Sequence, residues 1–438
     1  MNFLPPRLAP WRYQRGKRSL AANLAAAGVT AALGSAPDKE EASNGDDDDE
    51  EEYDVPEDIE AVLEQLLSRL GDKDTIVRWS AAKGVGRVTG RLPRELADEV
   101  VESLLDLFTI RQSDSSWHGG CLALAELGRR GLLLPARLEQ VIGVVIRALG
   151  YDEVRGSTSV GAHVRDAASY VCWAFARAYD PSVLQSYVEE LAAQLLVTAL
   201  FDRENNVRRA AAAAFQENVG RLGTVPHGIA VIGIADYFSV GNRSHAYLEL
   251  APQVAQFPEY RGALLGHLCD VKLAHWDRDV RELAAQAAGR LVVNEPAMAR
   301  EKLQNIVLRN ALSIDLQARH GATLAVGYMV AGLRTQQGVA AGGSGPAAAE
   351  PFAGLTEDVL GAVASLLPKL EAARYLRGMG GAIVHTAGRS ARNTGKRLAW
   401  TGLFFSPPSP FLPRLTFSRS FSQPAVPPRV TFLRFHLS

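Results

Sequence analysis

The sequence predicts an all-α protein built from stacked pairs of helices, and three observations support this fold class. Acidic or small polar residues precede Val-Arg and a run of alanine in four separate segments. These segments are Asp72–Ala82, His163–Ala168, Asp202–Ala212 and Asp277–Ala288. The pattern recurs at regular spacing, and amphipathic helical patterns lie between its copies. Recurrence of this kind is the signature of a repeat architecture, and it favours binding over catalysis as the function.

The spacing of the repeats identifies their type. Six residues serve as anchors: Arg78, His118, Arg165, Arg208, Arg281 and Arg319. Successive gaps are 40, 47, 43, 73 and 38 residues, and the long gap halves if a degenerate repeat is centred near His245. A period near 40 is typical of HEAT and armadillo repeats, which are helix pairs. We therefore predict a HEAT/armadillo-type helical-repeat solenoid.

Local chemistry supports each helix in turn. Asp74, Asn206 and Asp279 stand before apolar runs and are placed to cap helix N-termini. The alanine runs that follow are strong helix formers, and their small side chains let helices approach closely. One apolar stripe at helical spacing runs through each of residues 59–70, 96–108, 138–149 and 184–195. No segment alternates with a period of two, so we expect almost no sheet.

The recurring arginines have two interpretations. In repeats of this kind an arginine commonly reaches the aspartate of a neighbouring repeat, which gives a ladder along the stack. The residues predicted to form this structural ladder are Asp74, Arg78, Arg165, Arg208, Asp279 and Arg281. Direct contact between the arginines and a partner is the alternative.

Composition limits the function. The chain has 438 residues and a formal net charge of −1, so no global field indicates nucleic-acid binding. Cys121, Cys172 and Cys269 lie in apolar helical stretches, and their odd number and wide spacing favour buried thiols in a reducing compartment. No run of 18 apolar residues is free of charge, so no membrane span is predicted.

Charge is distributed unevenly, and this predicts the domain organisation. Residues 1–37 contain no acid, which is also typical of an organelle transit peptide. Seven consecutive acids, Asp46–Glu52, repel one another and predict a disordered linker, with steering of a basic partner surface as the alternative. The predicted parts are a basic helical segment at 1–37, an acidic disordered linker at 38–56, the repeat solenoid at 57–335, a Gly/Ala-rich linker at 336–351, the start of a C-terminal helical region at 352–387, and a basic, disordered tail at 388–438.

Three motifs that could carry chemistry favour packing instead. Gly84-Val85-Gly86 with Gly90 has no preceding strand and no Lys-Ser/Thr pair, so it is not a phosphate loop. Trp117–Cys121 places a histidine near a cysteine without a third group to orient the base. His275–Asp277 lacks metal-ligand spacing. We predict no catalytic residue, cofactor site or metal site. The candidates for partner contact are the aromatic residues of these motifs, Trp117, His118, His275 and Trp276.

Five longer blocks go beyond a generic repeat. They are Asp72–Pro93, Trp117–Leu132, Val164–Asp180, Phe201–Arg221 and Pro226–Arg243. Together they resemble the tubulin-folding cofactor D family, also called tubulin-specific chaperone D.

The resemblance covers residues 2–335 well and 352–386 more loosely. Leu4–Leu24 resembles an internal family segment, which disfavours a transit peptide and implies that an N-terminal region of the family is missing. From Gly388 onward the chain departs from the family, so we expect a fragment or a truncated gene model that runs into untranslated or frame-shifted sequence.

The resemblance implies a chaperone-like scaffold in the cytoplasm, associated with the microtubule cytoskeleton. Family members take β-tubulin after the chaperonin step and join cofactor E, which carries α-tubulin. With cofactor C the assembly stimulates GTP hydrolysis by tubulin and releases the αβ heterodimer. Members also associate with an Arf-like small GTPase. None of the arginines here stands in a recognisable finger loop, so we expect scaffolding and no catalysis by this chain.

Two other functions remain open from the sequence. A generic HEAT-repeat adaptor would share the fold, and a truncated cofactor would be inactive if it cannot complete the client surface. An enzyme is not favoured, since the sequence shows no nucleophile–base, metal or phosphate constellation.

Overall fold

Helices make up most of the described chain. The structure is a computed structural model, and it describes residues 11–16, 55–340, 355, 357–373 and 375. The predicted all-α fold is confirmed within these ranges. Their β-structure is a single two-stranded hairpin, in keeping with the expectation of almost no sheet.

Seven consecutive helix pairs can be followed in this part of the chain. The first four are α1 (Glu57–Arg69) with α2 (Thr75–Thr89), α3 (Arg94–Leu105) with α4 (Asp114–Arg130), α5 (Leu138–Leu149) with α6 (Ala162–Ala178), and, after the short α7 (Pro181–Leu184), α8 (Val188–Phe201) with α9 (Asn205–Leu222). Strands β1 (Glu153–Arg155) and β2 (Thr158–Val160) form the antiparallel hairpin between α5 and α6.

The later pairs are less regular. In the fifth, α10 (Gly228–Ile234) precedes α11 (Arg243–His245), which continues through a π-helical turn into α12 (Ala251–Val254). This irregular pair is the degenerate repeat predicted near His245. The last two pairs and the helix beyond them are α13 (Pro258–Asp270) with α14 (Arg278–Leu291), α15 (Pro296–Lys302) and α16 (Leu308–Asn310) with α17 (Leu316–Ala340), and α18 (Glu357–Ala372).

Stacking of successive pairs builds one continuous core. Second helices pack on second helices: α2 on α4, α4 on α6, α6 on α9 and α14 on α17. In the other layer α5 packs on α8 and α8 on α13. Val85, Leu124, Phe175 and Phe215, from four consecutive second helices, are all buried in one cluster. A helix pair cannot bury its apolar stripe alone, so the stack itself provides the stabilising burial.

The helix starts agree only partly with the predicted caps. Asp74 caps α2 as predicted, since its Oδ1 accepts from the Ile76 amide at 2.8 Å. The predictions for Asn206 and Asp279 are wrong: Asn206 lies inside α9, and Asp277 caps α14 by accepting from the Asp279 amide at 2.9 Å. In these loops the earlier aspartate organises the turn, so the helix begins sooner than the sequence suggested.

Two predicted boundaries also need correction. Residues 11–16, assigned to a basic helical segment, contain no helix, because their donors bond to groups on the helix pairs. Residues 336–340, assigned to the Gly/Ala-rich linker, continue α17. The rest of the N-terminal segment, the acidic run, residues 341–351 and the tail at 388–438 lie outside the described residues.

The loops define two edges of the stack. The arginine edge comprises the loops that join the first to the second helix of each pair, with the first turn of the second helix. The far edge comprises the loops that lead from each pair to the next.

Candidate functional site

The recurring arginine occupies the fourth position of its helix at the arginine edge. The five arginines are Arg78, Arg165, Arg208, Arg281 and Arg319, in helices that begin at Thr75, Ala162, Asn205, Arg278 and Leu316. In four of them Nη1 donates to the carbonyls six and five residues earlier. For Arg78 these are the carbonyls of Asp72, at 2.7 Å, and Lys73, at 3.0 Å. The same bonds recur at Arg208, Arg281 and Arg319. Each of these arginines therefore fixes the loop that precedes its own helix.

Four of these side chains also donate to a later helix pair, but their acceptors differ. Arg165 Nε donates to Asp202 Oδ2 at 2.5 Å, which is the predicted arginine–aspartate contact. At the other three the acceptor is a carbonyl or a histidine: Arg208 donates to the Val240 carbonyl at 2.7 Å, Arg78 to His118 Nδ1 at 2.9 Å, and Arg281 to His320 Nδ1 at 3.1 Å. The predicted aspartate ladder is thus corrected to an arginine ladder with mixed acceptors. Asp74 serves as a cap, and Asp279 lies 3.7 Å from Arg243.

Burial sets the charge of the groups in this ladder. His118 and His320 accept through Nδ1, which requires a neutral ring. Burial, with the neighbouring arginine, lowers the pKa of His118 to about 3 and that of His320 to about 4. Burial also acts against the charge of Arg165, but Asp202 together with Asp152 and Glu204 outweighs it, and the pKa of Arg165 is raised. The ladder is therefore stable at neutral pH with charged arginines and neutral histidines.

A glycine follows each of the two acceptor histidines. His118-Gly119 and His320-Gly321 occupy the fifth and sixth positions of α4 and α17. A Cβ on Gly119 would lie 2.0 Å from the Leu70 carbonyl oxygen, and one on Gly321 would lie 1.9 Å from that of Leu273. The glycines let the helix touch the loop of the preceding pair, as the packing interpretation of Trp117–Cys121 predicts. In α4 the position of the arginine is held by Trp117, so His118 was not the correct anchor.

Three of the four predicted contact residues are buried. The exposed fractions are 7% for Trp117, 5% for His118 and 8% for His275. Trp117 donates its indole N–H to the Thr109 carbonyl at 3.1 Å, and His275 Nδ1 accepts from the Asp277 amide at 3.0 Å. These three side chains therefore have structural roles, and their contact with a partner stays a prediction.

Trp276, the fourth predicted contact residue, is half-buried at the arginine edge. Its indole donates to Ser159 Oγ in the hairpin at 2.8 Å. The Arg203 guanidinium lies over its ring, 4.7 Å from the centroid. Trp276 therefore joins the hairpin of the third pair to the loop of the sixth.

The exposed apolar side chains were missed by the sequence analysis. Eleven large apolar residues are exposed in the described chain, and eight lie at the arginine edge, against three elsewhere. The eight are Ile76, Ile110, Val154, Tyr237, Phe238, Val271, Ile314 and Leu316. The sequence signal was present, since each is an apolar residue in a polar loop or outside a helix stripe. A row of exposed apolar groups on successive loops is typical of a protein-binding surface.

Two grooves open among these residues. The first, of about 660 Å³, has Phe108, Trp117 and Tyr151 among its lining, with Ile110 and Arg155 beside them. Trp117 thus contributes to a groove although little of it is exposed.

The second groove, of about 600 Å³, lies between the starts of α6 and α9. Its lining includes Ala162, His163, Asp166, Asn206, Arg209 and Tyr237. Both combine apolar walls with charges of both signs, which suits contacts with a protein surface.

A third, internal cavity has a different character. It measures about 50 Å³ and is lined by Asp152, Arg165, Asp202, Lys272 and His275, among others. Burial lowers the pKa of Lys272 and, with Lys272 itself, lowers that of His275 to about 4. The lining has as many basic side chains, one lysine and two arginines, as carboxylates. Its charges therefore favour neither an anion nor a cation. Within the described ranges no group of three or more metal-ligating side chains is found.

The first half of the chain matches a known protein family. Residues 1–229 match the model of the family described as tubulin-specific chaperone D-like, with ARM repeats. This is more than half of the chain. The chain belongs to this family. The match contains α1 to α9, and therefore both grooves except for Tyr237.

Two curated relatives support the assignment. Over 271 residues, 60% of the chain, it is 42% identical to tubulin-specific chaperone D of Dictyostelium discoideum. Over 252 residues, 54% of the chain, it is 34% identical to tubulin-folding cofactor D of Schizosaccharomyces pombe. The matched region spans only 18% and 23% of the length of these relatives.

Solved structures with a similar fold are distant. The karyopherin Kap121p bound to the C-terminus of Cdc14p matches with a TM-score of 0.32 at 10% identity, covering 75% of this chain and 39% of that one. Importin beta matches with a TM-score of 0.28 at 16% identity, covering 78% and 53%. Such scores are too low to carry an argument about function. Among the described helices of this family member, none is long and apolar enough to span a bilayer.

Proposed function

We propose that this chain is the repeat-containing part of a tubulin-folding cofactor and binds tubulin through its arginine edge. The observation that carries the proposal is the family match over α1 to α9, the helices that build the two grooves. The names of the two relatives, a tubulin-specific chaperone and a tubulin-folding cofactor, support tubulin as the client. Exposed apolar residues on successive loops provide many modest contacts, which suits a large folded client.

The finer role follows from the family resemblance. The chain receives β-tubulin after the chaperonin step and supports assembly of the αβ heterodimer with cofactors C and E and an Arf-like small GTPase. Any stimulation of GTP hydrolysis comes through positioning, with the catalytic cation supplied by another component. This work takes place in the cytoplasm, in association with the microtubule cytoskeleton.

Retention of tubulin by edge variants tests the proposal. The full chain is immobilised and mixed with native tubulin dimer or with β-tubulin released from chaperonin. Ile110→Asp with Phe238→Asp places two charges on the arginine edge, at side chains that are 99% and 78% exposed. We expect about a tenfold loss of bound tubulin, or more, since loss of an interface hot spot costs about 2 kcal/mol or more.

A matched control removes an equally exposed residue elsewhere. Ile229 in α10 is 78% exposed but lies outside the arginine edge, so Ile229→Asp should retain tubulin. Equal retention by all variants would contradict the location of the interface. No retention by the folded wild-type chain would favour an inactive truncated cofactor. Retention of unrelated cargo instead would favour a generic HEAT-repeat adaptor.

A further inference from the structure

An extended segment crosses the far edge of the first three helix pairs. Residues 11–16 run without helix, and their odd-numbered members meet successive pairs. Trp11 donates its indole N–H to the Leu92 carbonyl, just after α2, at 3.2 Å. The Tyr13 amide donates to the Gly131 carbonyl, just after α4, at 2.9 Å. Arg15 donates to two carbonyls at the end of α6. We call this segment the strap.

The third contact is the densest. Arg15 Nη1 donates to the carbonyls of Ala176 and Arg177, each at 3.0 Å. Its Nε lies 3.7 Å from Asp180 Oδ1. The Tyr13 hydroxyl donates to Asp180 Oδ2 at 2.9 Å and accepts from the Asp180 amide at 3.0 Å. The Tyr13 ring packs on Tyr179, with centroids 5.2 Å apart.

The helix pairs present one type of group to the strap. Carbonyls follow the C-termini of α2 and α4 or lie in the last turn of α6, where the helix dipole is negative, and Asp180 adds a full charge. Together they form a row of acceptors, which we call the acceptor row. It is complementary to a segment that offers N–H and O–H donors, a cation and flat apolar rings. The spacing fits an extended chain, whose alternate side chains point to one side.

The strap itself is held locally and incompletely. It pairs with no strand, and its main chain donates to the helix pairs at Tyr13 and, at 3.4 Å, at Gly16. Gln14 and Gly16 are exposed, and the buried Nε of Arg12 has no hydrogen-bond partner. Trp11 and Tyr13 pack against the core, but the main chain of the strap lies at the surface, where a segment opens at lower free-energy cost than a core helix.

We propose that the acceptor row is a peptide-binding surface for extended segments of the pattern aromatic-x-aromatic-x-basic, and that residues 11–16 are its exchangeable internal ligand. A partner protein that presents a segment of this chemistry displaces the strap and docks on the far edge. This surface lies away from the arginine edge, so it can be occupied while a client is bound there. It provides a second interface for an assembly partner.

Binding of a labelled peptide to a vacated surface tests this inference. The probe is a fluorescent peptide with the sequence of residues 9–18, APWRYQRGKR. The vacated protein is the full chain with Trp11→Ala, Tyr13→Ala and Arg15→Ala. We expect the vacated chain to bind the probe about tenfold more tightly than wild type, or better, because a tethered ligand competes at high effective concentration. Anisotropy titration measures both affinities.

Two controls distinguish binding at the acceptor row from nonspecific electrostatic attraction of a basic peptide. A probe with alanine in place of Trp11 and Tyr13 keeps every cation and should bind weakly. Asp180→Asn in the vacated chain should weaken binding of the intact probe, whereas Glu99→Gln, which removes an exposed charge from α3, should not. Equal binding to wild-type and vacated chains, or binding unaffected by Asp180→Asn, overturns the proposal.

A second measurement covers the case in which the triple variant does not fold. Asp180→Asn alone removes one strap partner from an otherwise intact chain. We expect faster hydrogen exchange at residues 11–16 in this variant, with unchanged exchange in α4. Unchanged exchange in the strap would show that Asp180 does not hold it and would also overturn the proposal.

Discussion

Arg78 donates a hydrogen bond from Nε to Nδ1 of His118, over 2.9 Å and 40 residues of sequence. The bond joins the first helix pair to the second, since Arg78 lies in α2 and His118 in α4. Both side chains are buried, at 4% and 5% exposed. A buried donor and acceptor that satisfy each other stabilise the stack, whereas either one left alone is costly.

Replacement of Arg78 should therefore destabilise the protein strongly. Arg78→Ala leaves His118 and the carbonyls of Asp72 and Lys73 without their donor. We expect a loss of about 2–4 kcal/mol in the free energy of unfolding, the range for breaking a buried polar network. Urea denaturation followed by circular dichroism measures the loss. Arg87→Ala, an exposed arginine of the same helix, is the control and should stay within about 0.5 kcal/mol of wild type.

Stability should fall in mild acid because of the two acceptor histidines. Their pKa values in the folded chain, about 3 for His118 and about 4 for His320, lie below the ordinary value of about 6.5 in an unfolded chain. Between these limits the unfolded chain binds protons that the folded chain does not. The stability that the two neutral histidines contribute to the folded chain is therefore complete above about pH 6.5 and is lost as the pH falls towards 4.

His118→Asn isolates the share of one histidine. The amide oxygen of asparagine can accept from Arg78 Nε, but asparagine does not titrate. We expect stability near that of wild type at pH 7.5 and a shallower decline between pH 6.5 and 4.5. Urea midpoints at intermediate pH values measure the slope. Parallel declines for the two proteins would show that His118 does not bind a proton on unfolding.

The Arg165–Asp202 pair should behave as one coupled unit. Asp202 is 3% exposed and Arg165 8%, so loss of either leaves a buried charge. Arg165→Met and Asp202→Asn should each cost about 3–5 kcal/mol, and the double variant should cost clearly less than their sum. The exposed pair of Arg177 and Glu217, 3.0 Å apart, provides the control cycle. The coupling free energy of this exposed pair should be under about 1 kcal/mol. A similarly small coupling free energy for Arg165 and Asp202 would show that the buried pair is not one coupled unit.

The glycines of the two His-Gly pairs should not tolerate a methyl group. Gly119→Ala and Gly321→Ala each force a Cβ against a carbonyl oxygen of the preceding loop. We expect each to cost about 1–3 kcal/mol through overpacking, and thermal unfolding measures the change. Gly220→Ala in α9 meets no atom within 4 Å and should stabilise by about 0.5–1 kcal/mol. Equal changes in stability at the three sites would mean that helix propensity alone, and not close packing, determines the effect of each substitution.

The sequence predicted the stack because its signals are local and repeated. Apolar stripes and Val-Arg segments are set by residues within one helix pair, so period and fold class could be read directly. The acceptors of the arginines could not, because they depend on which atom of the next pair faces the guanidinium. His118 and Asp202 serve the same purpose with unrelated side chains, and no spacing rule links them.

The functional surface was harder to predict than the fold. Tryptophan and histidine suggested contact at Trp117, His118 and His275, yet these residues build the loops from inside. Ile110 and Phe238 carried the better signal, as apolar residues in polar loops. Sequence patterns identify which residues are apolar, but exposure is decided by the path of each loop. The strap was missed for a similar reason, since an extended segment has no period to detect when its partners are distant.

The hydrogen bond between Trp276 and Ser159 should change how the stack of helix pairs unfolds. In a stack where each repeat touches only its neighbours, repeats can unzip one at a time from either end. Here a hairpin in the third pair grips the loop of the sixth, 117 residues later. The intervening pairs cannot open while that link holds, so this middle block should melt as a single cooperative domain. Fraying would then be confined to the outer repeats on either side.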